Sequence, residues 1–368
     1  MGIVTSLYLH VPFCRHLCNY CDFYKLPLNA PEENWRQYED YLSQSLLRHE
    51  SIMVERGVQW GALDTLYLGG GTPSLWGARG AAWLAAHLPT NLAGTHETTL
   101  EIDPGAWDHA GLSAWKGLGV NRFSVGTQAL DPRFLRVLDR AHEREETVRL
   151  LEALKGENFS VDFLLGAPHS AEWRRDVLQE LEGLLAYGPS HVSLYILNPA
   201  GGYKLKSFLP DDEWSAREYL AVSAFLRERG FRHYEVSNFA LPGREARHNL
   251  RYWMGESVAA LGPTGTGYFA EGVTAWRYKW KPSRAEIEAE PLSAKEVLLE
   301  RVYLRLRLDH PFTPTELLPL DAEAFLALLR RWQERGLAEG DKSWKLTPQG
   351  WVILDSLMDE LFVVVSSL

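Results

Sequence analysis

Six short runs constrain the fold: SLYLHV (6–11), DTLYLGG (64–70), TTLEID (98–103), NRFSVGTQ (121–128), SVDFLLG (160–166) and HVSLYIL (191–197). Each is rich in β-branched or aromatic residues and is bounded by Gly, Pro or a polar residue, the pattern of a buried strand. Between them lie segments with helical spacing, at 35–54, 78–88, 143–155 and 173–187. Strands alternating with helices imply parallel βαβ units with right-handed crossovers. Polar and glycine-rich groups collect at the C-terminal ends of several runs, where a β/α barrel gathers its site. The predicted fold is therefore α/β, an incomplete (β/α)6 TIM-like barrel.

At 368 residues the chain is longer than one hydrophobic core usually spans. The barrel is expected over 1–230, including a helix at 212–230. A Gly- and aromatic-rich extension of irregular pattern follows over 231–291. A smaller C-terminal domain is expected over 292–368. There, a helix at 322–336 precedes GLAEGDKSWKLTPQGW, which reads as a hairpin around Gly340-Asp341 and a last helix. That order is winged-helix-like.

The formal charge of −10 speaks against nucleic acid as the main partner, so the C-terminal module is expected to pack rather than to bind DNA. The N-terminus lacks the basic and apolar regions of a signal peptide. No apolar run approaches the roughly 18 to 20 residues that span a bilayer, and LFVVV (361–365) reads as a buried helix end or strand. A cytoplasmic location is expected.

All three cysteines fall in HVPFCRHLCNYCDFY (10–24). Cys14, Cys18 and Cys21 form a C-x3-C-x2-C motif directly after the first predicted strand. Thiolates suit zinc and iron–sulfur clusters. A structural zinc would need a fourth ligand, from His10 or His16. A [4Fe–4S] cluster normally takes four thiolates, so three leave one iron open to an outside ligand.

The motif resembles that of the radical S-adenosylmethionine (SAM) family, with Tyr20 as the aromatic before the third cysteine. The resemblance implies a [4Fe–4S] cluster whose open iron holds the amino and carboxylate groups of SAM and delivers one electron to its sulfonium, yielding methionine and a 5′-deoxyadenosyl radical. The protein's share is to place and shield that cofactor. Gly70, Gly71 and Thr72, in LGGGTPS (68–74), resemble the loop that meets the SAM amino group, with glycines that let backbone groups approach a ligand. SAM also needs a cation for its carboxylate and polar partners for its ribose. By resemblance Glu101 is assigned to the methionine amino end, Arg140 to the carboxylate, and Gln128 and Asp162 to the ribose.

The motifs together resemble the group that contains the oxygen-independent coproporphyrinogen III oxidases and, closer still, the HemW family of heme chaperones. The oxidases carry a further cysteine two positions after the third and a longer N-terminal segment. Here Phe23 stands in that place, and HNLRYW (248–253) resembles a heme motif with His248 as the heme-associated residue. The ordinary alternative for His248 and Asn249 is helix capping beside buried aromatics. What the resemblance implies is a heme chaperone that passes heme to an acceptor, such as a respiratory, membrane-associated heme protein. The alternative is a tetrapyrrole-modifying radical SAM enzyme of the oxidase type. A homodimer is compatible with the sequence. The chain departs from the family at GAPHSA (166–171), NPAGGY (198–203) and GPTGTGYF (262–269), which touches the substrate pocket more than SAM binding.

Overall fold

The computed structural model describes residues 2–88, 94–199 and 201–365. Strand β1 (Gly2–Val11) is followed by a two-residue parallel pair, β2 (Phe13–Cys14) and β3 (Leu26–Pro27), which brackets the cysteine loop. Strands and helices then alternate: α1 (Pro31–Glu55), β4 (Val58–Gly70), α2 (Gly77–His87), β5 (Glu97–Ile102), α3 (His109–Leu118) and β6 (Arg122–Gln128). Next come α4 (Pro132–Val137), α5 (Arg144–Ala153), β7 (Phe159–Leu165), α6 (Val177–Leu185), β8 (His191–Ile196) and α7 (Asp212–Glu228). Strands β1, β4, β5, β6, β7 and β8 pair in that order, all parallel. This is the incomplete six-stranded barrel expected from the sequence.

Successive side chains of a strand point to opposite faces. One face of these strands is apolar and joins the main core, as with Leu7, Leu9, Leu100, Phe123, Val161 and Val192. The other face carries Ser6, Tyr8, Thr65, Tyr67, Glu97, Glu101, Arg122, Ser124, Ser160, Asp162, His191 and Ser193. The barrel interior is thus polar, and most of these groups are buried in it.

The stretch of irregular sequence pattern after α7 holds regular structure: β9 (Arg232–Glu235), β10 (Asn238–Ala240), α8 (Arg247–Trp253), β11 (Ala259–Leu261), β12 (Thr266–Glu271), β13 (Thr274–Trp280) and β14 (Ile287–Leu292). Strand β11 adds in parallel outside β1, while β10 and β9 continue antiparallel beyond β8. Among the described residues no pairing joins the two edges, so the nine-stranded sheet stays open. Because β10 and β11 flank opposite sides, the chain must cross the barrel between them, and α8 makes that crossing. Glu97, the first residue of β5, accepts the N–H groups of Arg247 and His248, each at 2.9 Å. Helix α8 therefore lies at the N-terminal ends of the strands, the barrel floor.

The C-terminal part comprises α9 (Ala294–Leu306), α10 (Pro314–Leu317), α11 (Ala322–Glu334), the hairpin β15 (Ala338–Gly340) and β16 (Trp344–Leu346), α12 (Pro348–Val352) and α13 (Leu354–Val364). It has a core of its own around Phe325, Leu329, Trp332, Leu357 and Leu361. The sequence-based helix at 173–187 starts only at Val177, because Asp176 caps the N–H of Gln179 and Arg174 has a positive φ of 50°. Helix α3 escapes the apolar pattern, yet it is marked at both ends by the Asp108 cap and by Gly119 at φ 113°. No described helix is long and apolar enough to cross a membrane.

Candidate functional site

At the C-terminal mouth of the barrel lies a cavity of about 640 Å³. Cys14, Cys18 and Cys21 line it, with Tyr20, Gly70, Gly71, Thr72, Glu101, Gln128, Arg140 and Asp162. Every site residue expected from the sequence is there except His248.

The cysteine loop is seated by the strand ends beneath it. Val11 and Phe13 carbonyls accept the N–H groups of Gly71 (2.7 Å) and Thr72 (2.8 Å), and Thr72 Oγ1 donates to Cys14 Sγ at 3.5 Å. Gly70, at φ 112°, gives its N–H to Glu101 Oε2 at 3.0 Å, and a Cβ there would lie 2.6 Å from the His10 ring. The glycine run is therefore required by close packing as well as by any ligand. Its N–H groups at Gly70, Gly71 and Thr72 are consumed within the protein, so this loop can offer a ligand acceptors rather than those donors.

Arg140 holds the loop from the opposite wall. Its guanidinium pairs with Asp103 and donates to the Gly126 carbonyl (3.1 Å), the Tyr20 hydroxyl (3.4 Å) and Cys18 Sγ (3.7 Å). Burial alone would raise the Asp103 pKa, but Arg140 and then His142 outweigh it and lower it to about 2. Asp103 was not singled out in the sequence, although it stands in the same LEIDP segment as Glu101. Burial pushes the Cys14 and Cys18 thiols up, with Arg140 opposing at Cys18. Metal uptake by such thiols must release their protons.

Deeper in the cavity, burial and the nearby Asp162 push Glu101 up to about 7, against the hydrogen bonds from Tyr67 OH (2.8 Å) and the Gly70 N–H. Burial likewise raises Asp162, which accepts from Ser124 Oγ at 3.0 Å and Ser160 Oγ at 3.3 Å. Gln128, at φ 60°, brings its amide to the cavity wall. The Arg140 Nε is buried without a partner. Arg140, the Glu101 and Asp162 carboxyls, both raised by burial, and the Gln128 amide thus line one cavity with the three thiols. That donor set fits an iron–sulfur cluster and a zwitterionic nucleoside, and the volume is within the usual range for such ligands.

The zinc alternative would have to draw its fourth ligand from His16 rather than His10. His10 spends both ring nitrogens, on the Tyr8 hydroxyl (3.1 Å) and the Tyr24 carbonyl (3.0 Å), and His16 Nε2 pairs with Asp139 at 3.0 Å. Among the described residues no three His, Cys, Asp or Glu side chains converge on a single ion. Thiols ranged around a larger cavity suit a cluster of several irons, each thiolate taking its own.

His248 lies elsewhere. It is 1% exposed on α8, its Nδ1 paired with Thr65 Oγ1 at 2.8 Å and its ring 5.3 Å from that of Tyr67. Burial, then Arg122, lowers its pKa to about 3. His248 thus stands apart from the mouth cavity, facing inward from α8 at the barrel floor. The ordinary alternative is corrected in one respect, since the α8 N-terminus is capped by Glu97 and not by His248 or Asn249. The polar column of Ser124, Ser160, His191 and Ser193, beside Arg122, was not singled out in the sequence. Its signal is the strict alternation of polar with apolar residues in RFSV, FSVDF and HVSL.

Two of the departures, at 166–171 and 198–203, follow the C-terminal ends of β7 and β8, and the third, at 262–269, lies on the β1 side. Gly166 has φ 64°, His169 stacks between Trp173 and Phe208, and Tyr203 is buried in a small apolar cluster with Phe134 and Leu164. Ala200 lies outside the described residues. Gly262 is required, since a Cβ would lie 2.3 Å from the His10 carbonyl oxygen.

A polar-lined mouth with a three-cysteine loop on an open parallel β/α barrel defines the class: the family model described as the radical SAM superfamily matches residues 8–181. The Escherichia coli coproporphyrinogen III oxidase HemN, a radical SAM enzyme, has the same fold at a TM-score of 0.78 and 19% identity, over 97% of this chain and 89% of that one. The heme chaperone HemW of Synechocystis is 33% identical over 83% of this chain and 78% of its own length. HemW of Mycobacterium tuberculosis is 33% identical over 83% and 82%. The bovine mitochondrial radical S-adenosyl methionine domain-containing protein 1 is 36% identical over 72% of this chain, which spans 61% of its length. The chain belongs to the radical SAM superfamily and, within it, to the HemW family.

Proposed function

We propose that this protein is a cytoplasmic heme chaperone that binds heme and passes it to an acceptor such as a respiratory heme protein, with a [4Fe–4S] cluster and SAM at the barrel mouth. One observation carries this reading: the three cysteines and the SAM-type side chains share one cavity in a chain 33% identical to a HemW protein over most of its length. Phe23 supports the chaperone over the oxidase. Where the oxidases carry a further cysteine, this side chain lines the cavity and is 71% exposed, with no thiol to offer.

In this account Cys14, Cys18 and Cys21 hold the cluster, Glu101 takes the ammonium of SAM, Arg140 its carboxylate, and Gln128 and Asp162 its ribose. Bound there, the pair supplies one-electron reductive cleavage of a sulfonium. The chain's own contribution is placement: Arg140 and Thr72 fix the loop, Tyr67 and the Gly70 N–H orient Glu101, and the buried walls keep water out. His248 is the heme-associated residue. Its Nε2 has no partner in the protein, as an imidazole that receives iron requires.

The test is product analysis of coproporphyrinogen with SAM and reductant under anaerobic conditions, beside heme transfer to an apo-acceptor. Transfer without sustained conversion of coproporphyrinogen supports the chaperone. Sustained conversion contradicts it.

The Glu101 carboxyl, pushed up to about 7, gives SAM binding a pH dependence. Protonated below that pH, it cannot pair with an ammonium; ionised above it, it can. SAM affinity is expected to rise about tenfold from pH 6 to pH 8, following the ionised fraction. A Glu101→Gln variant should bind more weakly and show no such slope. Isothermal titration of the anaerobic protein at the two pH values checks this.

A further inference from the structure

Of the three buried arginines among the described residues, two have a contact partner: Arg175 holds Glu180 at 2.7 Å, and Arg305 meets Glu316 at 3.5 Å. Arg122 is the most deeply buried of them, at 2% exposed. Among the described residues its guanidinium makes neither an ion pair nor a hydrogen bond, and its Nε is sealed without a partner. A buried cation left in this state is expensive and calls for an explanation.

Arg122 opens β6 on the interior face, two residues before Ser124 and so about 7 Å nearer the floor. Ser124 lines the mouth cavity, stands opposite Glu101 of β5 in the parallel ladder and gives its hydroxyl to Asp162 of β7 at 3.0 Å. The cation therefore lies one step beneath both carboxyls. Burial would lower the Arg122 pKa, but Glu97, then Tyr67, Tyr234 and Asp162, outweigh it and raise it, so the charge is kept. Glu97 does not cancel that charge by contact, since its two oxygens accept the N–H groups of Arg247 and His248. The groups that face Glu101 are Tyr8 from β1, Tyr67 and the Gly70 N–H from β4, Asp162 from β7 and Tyr195 from β8, with Arg122 from β6. Arg140 and Asp103 are spent on each other. Arg122 is the cation that acts on both Glu101 and Asp162, against their burial. Burial, then the same cation, holds His191 and His248 neutral.

We propose that Arg122 is the counter-ion of the mouth site, a positioning residue that touches no ligand and whose uncommitted charge keeps Glu101 and Asp162 anionic, Glu101 for an ammonium group and Asp162 for ribose hydroxyls. The ligand's identity as SAM rests on the function proposed above; the counter-ion role rests on the burial of Arg122, its lack of a contact partner and the strand register. A cation beneath two carboxyls favours their ionised forms, and its loss favours the protonated ones. Without it the pH at which Glu101 ionises moves up, and the ligand meets a largely neutral acid at pH 7.

The experiment uses the full chain, anaerobically reconstituted, with the cluster kept oxidised so that SAM is bound and not consumed. Arg122→Lys, which keeps the charge, is compared with Arg122→Gln, which removes it at similar reach, and Arg122→Met repeats the removal without a polar group. Circular dichroism checks the fold of each. SAM affinity is measured by calorimetry at several pH values between about 6 and 9, spanning the Glu101 midpoint. The Glu101 carboxyl is titrated by infrared spectroscopy in the ligand-free protein, its band assigned with Glu101→Gln. Arg122→Gln is expected to raise the Glu101 midpoint by about one pH unit, the size of effect a unit charge about 7 Å away has in a medium between water and dry protein. SAM binding should then weaken about fivefold at pH 7 and stay nearly unchanged at pH 9, following the ionised fraction. Arg122→Met should match it, and Arg122→Lys should stay near the wild type. An equal loss of affinity at every pH, with the carboxyl titration unshifted, assigns Arg122 to packing and overturns the proposal. A shifted titration in a protein whose wild type binds no SAM supports the counter-ion and overturns SAM as the ligand.

Discussion

Cys18→Ser is expected to reduce bound iron and sulfide to background after anaerobic reconstitution, and to abolish SAM binding with them. Three thiols is the smallest set that leaves a single open iron, and the nearby imidazoles are already engaged, His10 through both ring nitrogens and His16 through Nε2. Loss of a mere supporting partner of a metal ligand costs 10- to 100-fold, so loss of a ligand should lower SAM affinity by more than about 100-fold. The fold should survive, since the half-buried Cys18 belongs to none of the apolar clusters. Iron and sulfide assays beside far-ultraviolet circular dichroism check both halves. A variant with full cluster content would remove the basis for the mouth site.

Arg140→Ala should cost stability as well as ligand binding. Arg140 is 11% exposed and Asp103 25%, so removing the cation leaves a largely buried carboxylate with the Gly105 N–H at 2.8 Å and His142 at 3.6 Å but no guanidinium beside it. Breaking such a pair costs about 3 to 5 kcal/mol, and partial access of water to Asp103 argues for about 3. The linkage has a definite sign. The Asp103 pKa is depressed to about 2 in the folded protein, so its stabilisation is full above the ordinary carboxylate range and is lost as pH falls through that value. Denaturant unfolding at pH 7 should show the loss, and the variant should be less sensitive to acid near that pKa. Arg140→Lys keeps the charge but not the fork, and should recover part of the stability without the bonds to Tyr20 and Gly126. A loss below about 1 kcal/mol would show that Arg140 is not the strut of the loop.

The strands were legible because each couples β-branched or aromatic residues with a sharp boundary, and their order follows from the crossover rule. The cysteines, the glycine loop and the strand-end carboxyls were legible because a parallel barrel brings strand ends together wherever its helices lie. The floor was not. Strands such as β10 and β11 have 3 residues each, too few to show a period, and their place is set by pairing with distant strands, β10 with β8 (Phe239 to Val192) and β11 with β1 (Ala259 to Leu7). The position of His248 depends on that long-range pairing, so its motif gave the residue and not its burial. Helix α6 was read four residues too early because Trp173 and its neighbours mimic a helical face. The Asp176 cap and the positive φ of Arg174 delay the start.

The central claim, a heme chaperone with its imidazole at His248, is tested most directly by anaerobic heme titration of the cluster-reconstituted protein beside His248→Ala, followed at the Soret band with SAM present. Saturable binding in the wild type, with the band lost or shifted in the variant, is the predicted result. An intact iron–sulfur spectrum with no heme bound by the wild type would contradict it.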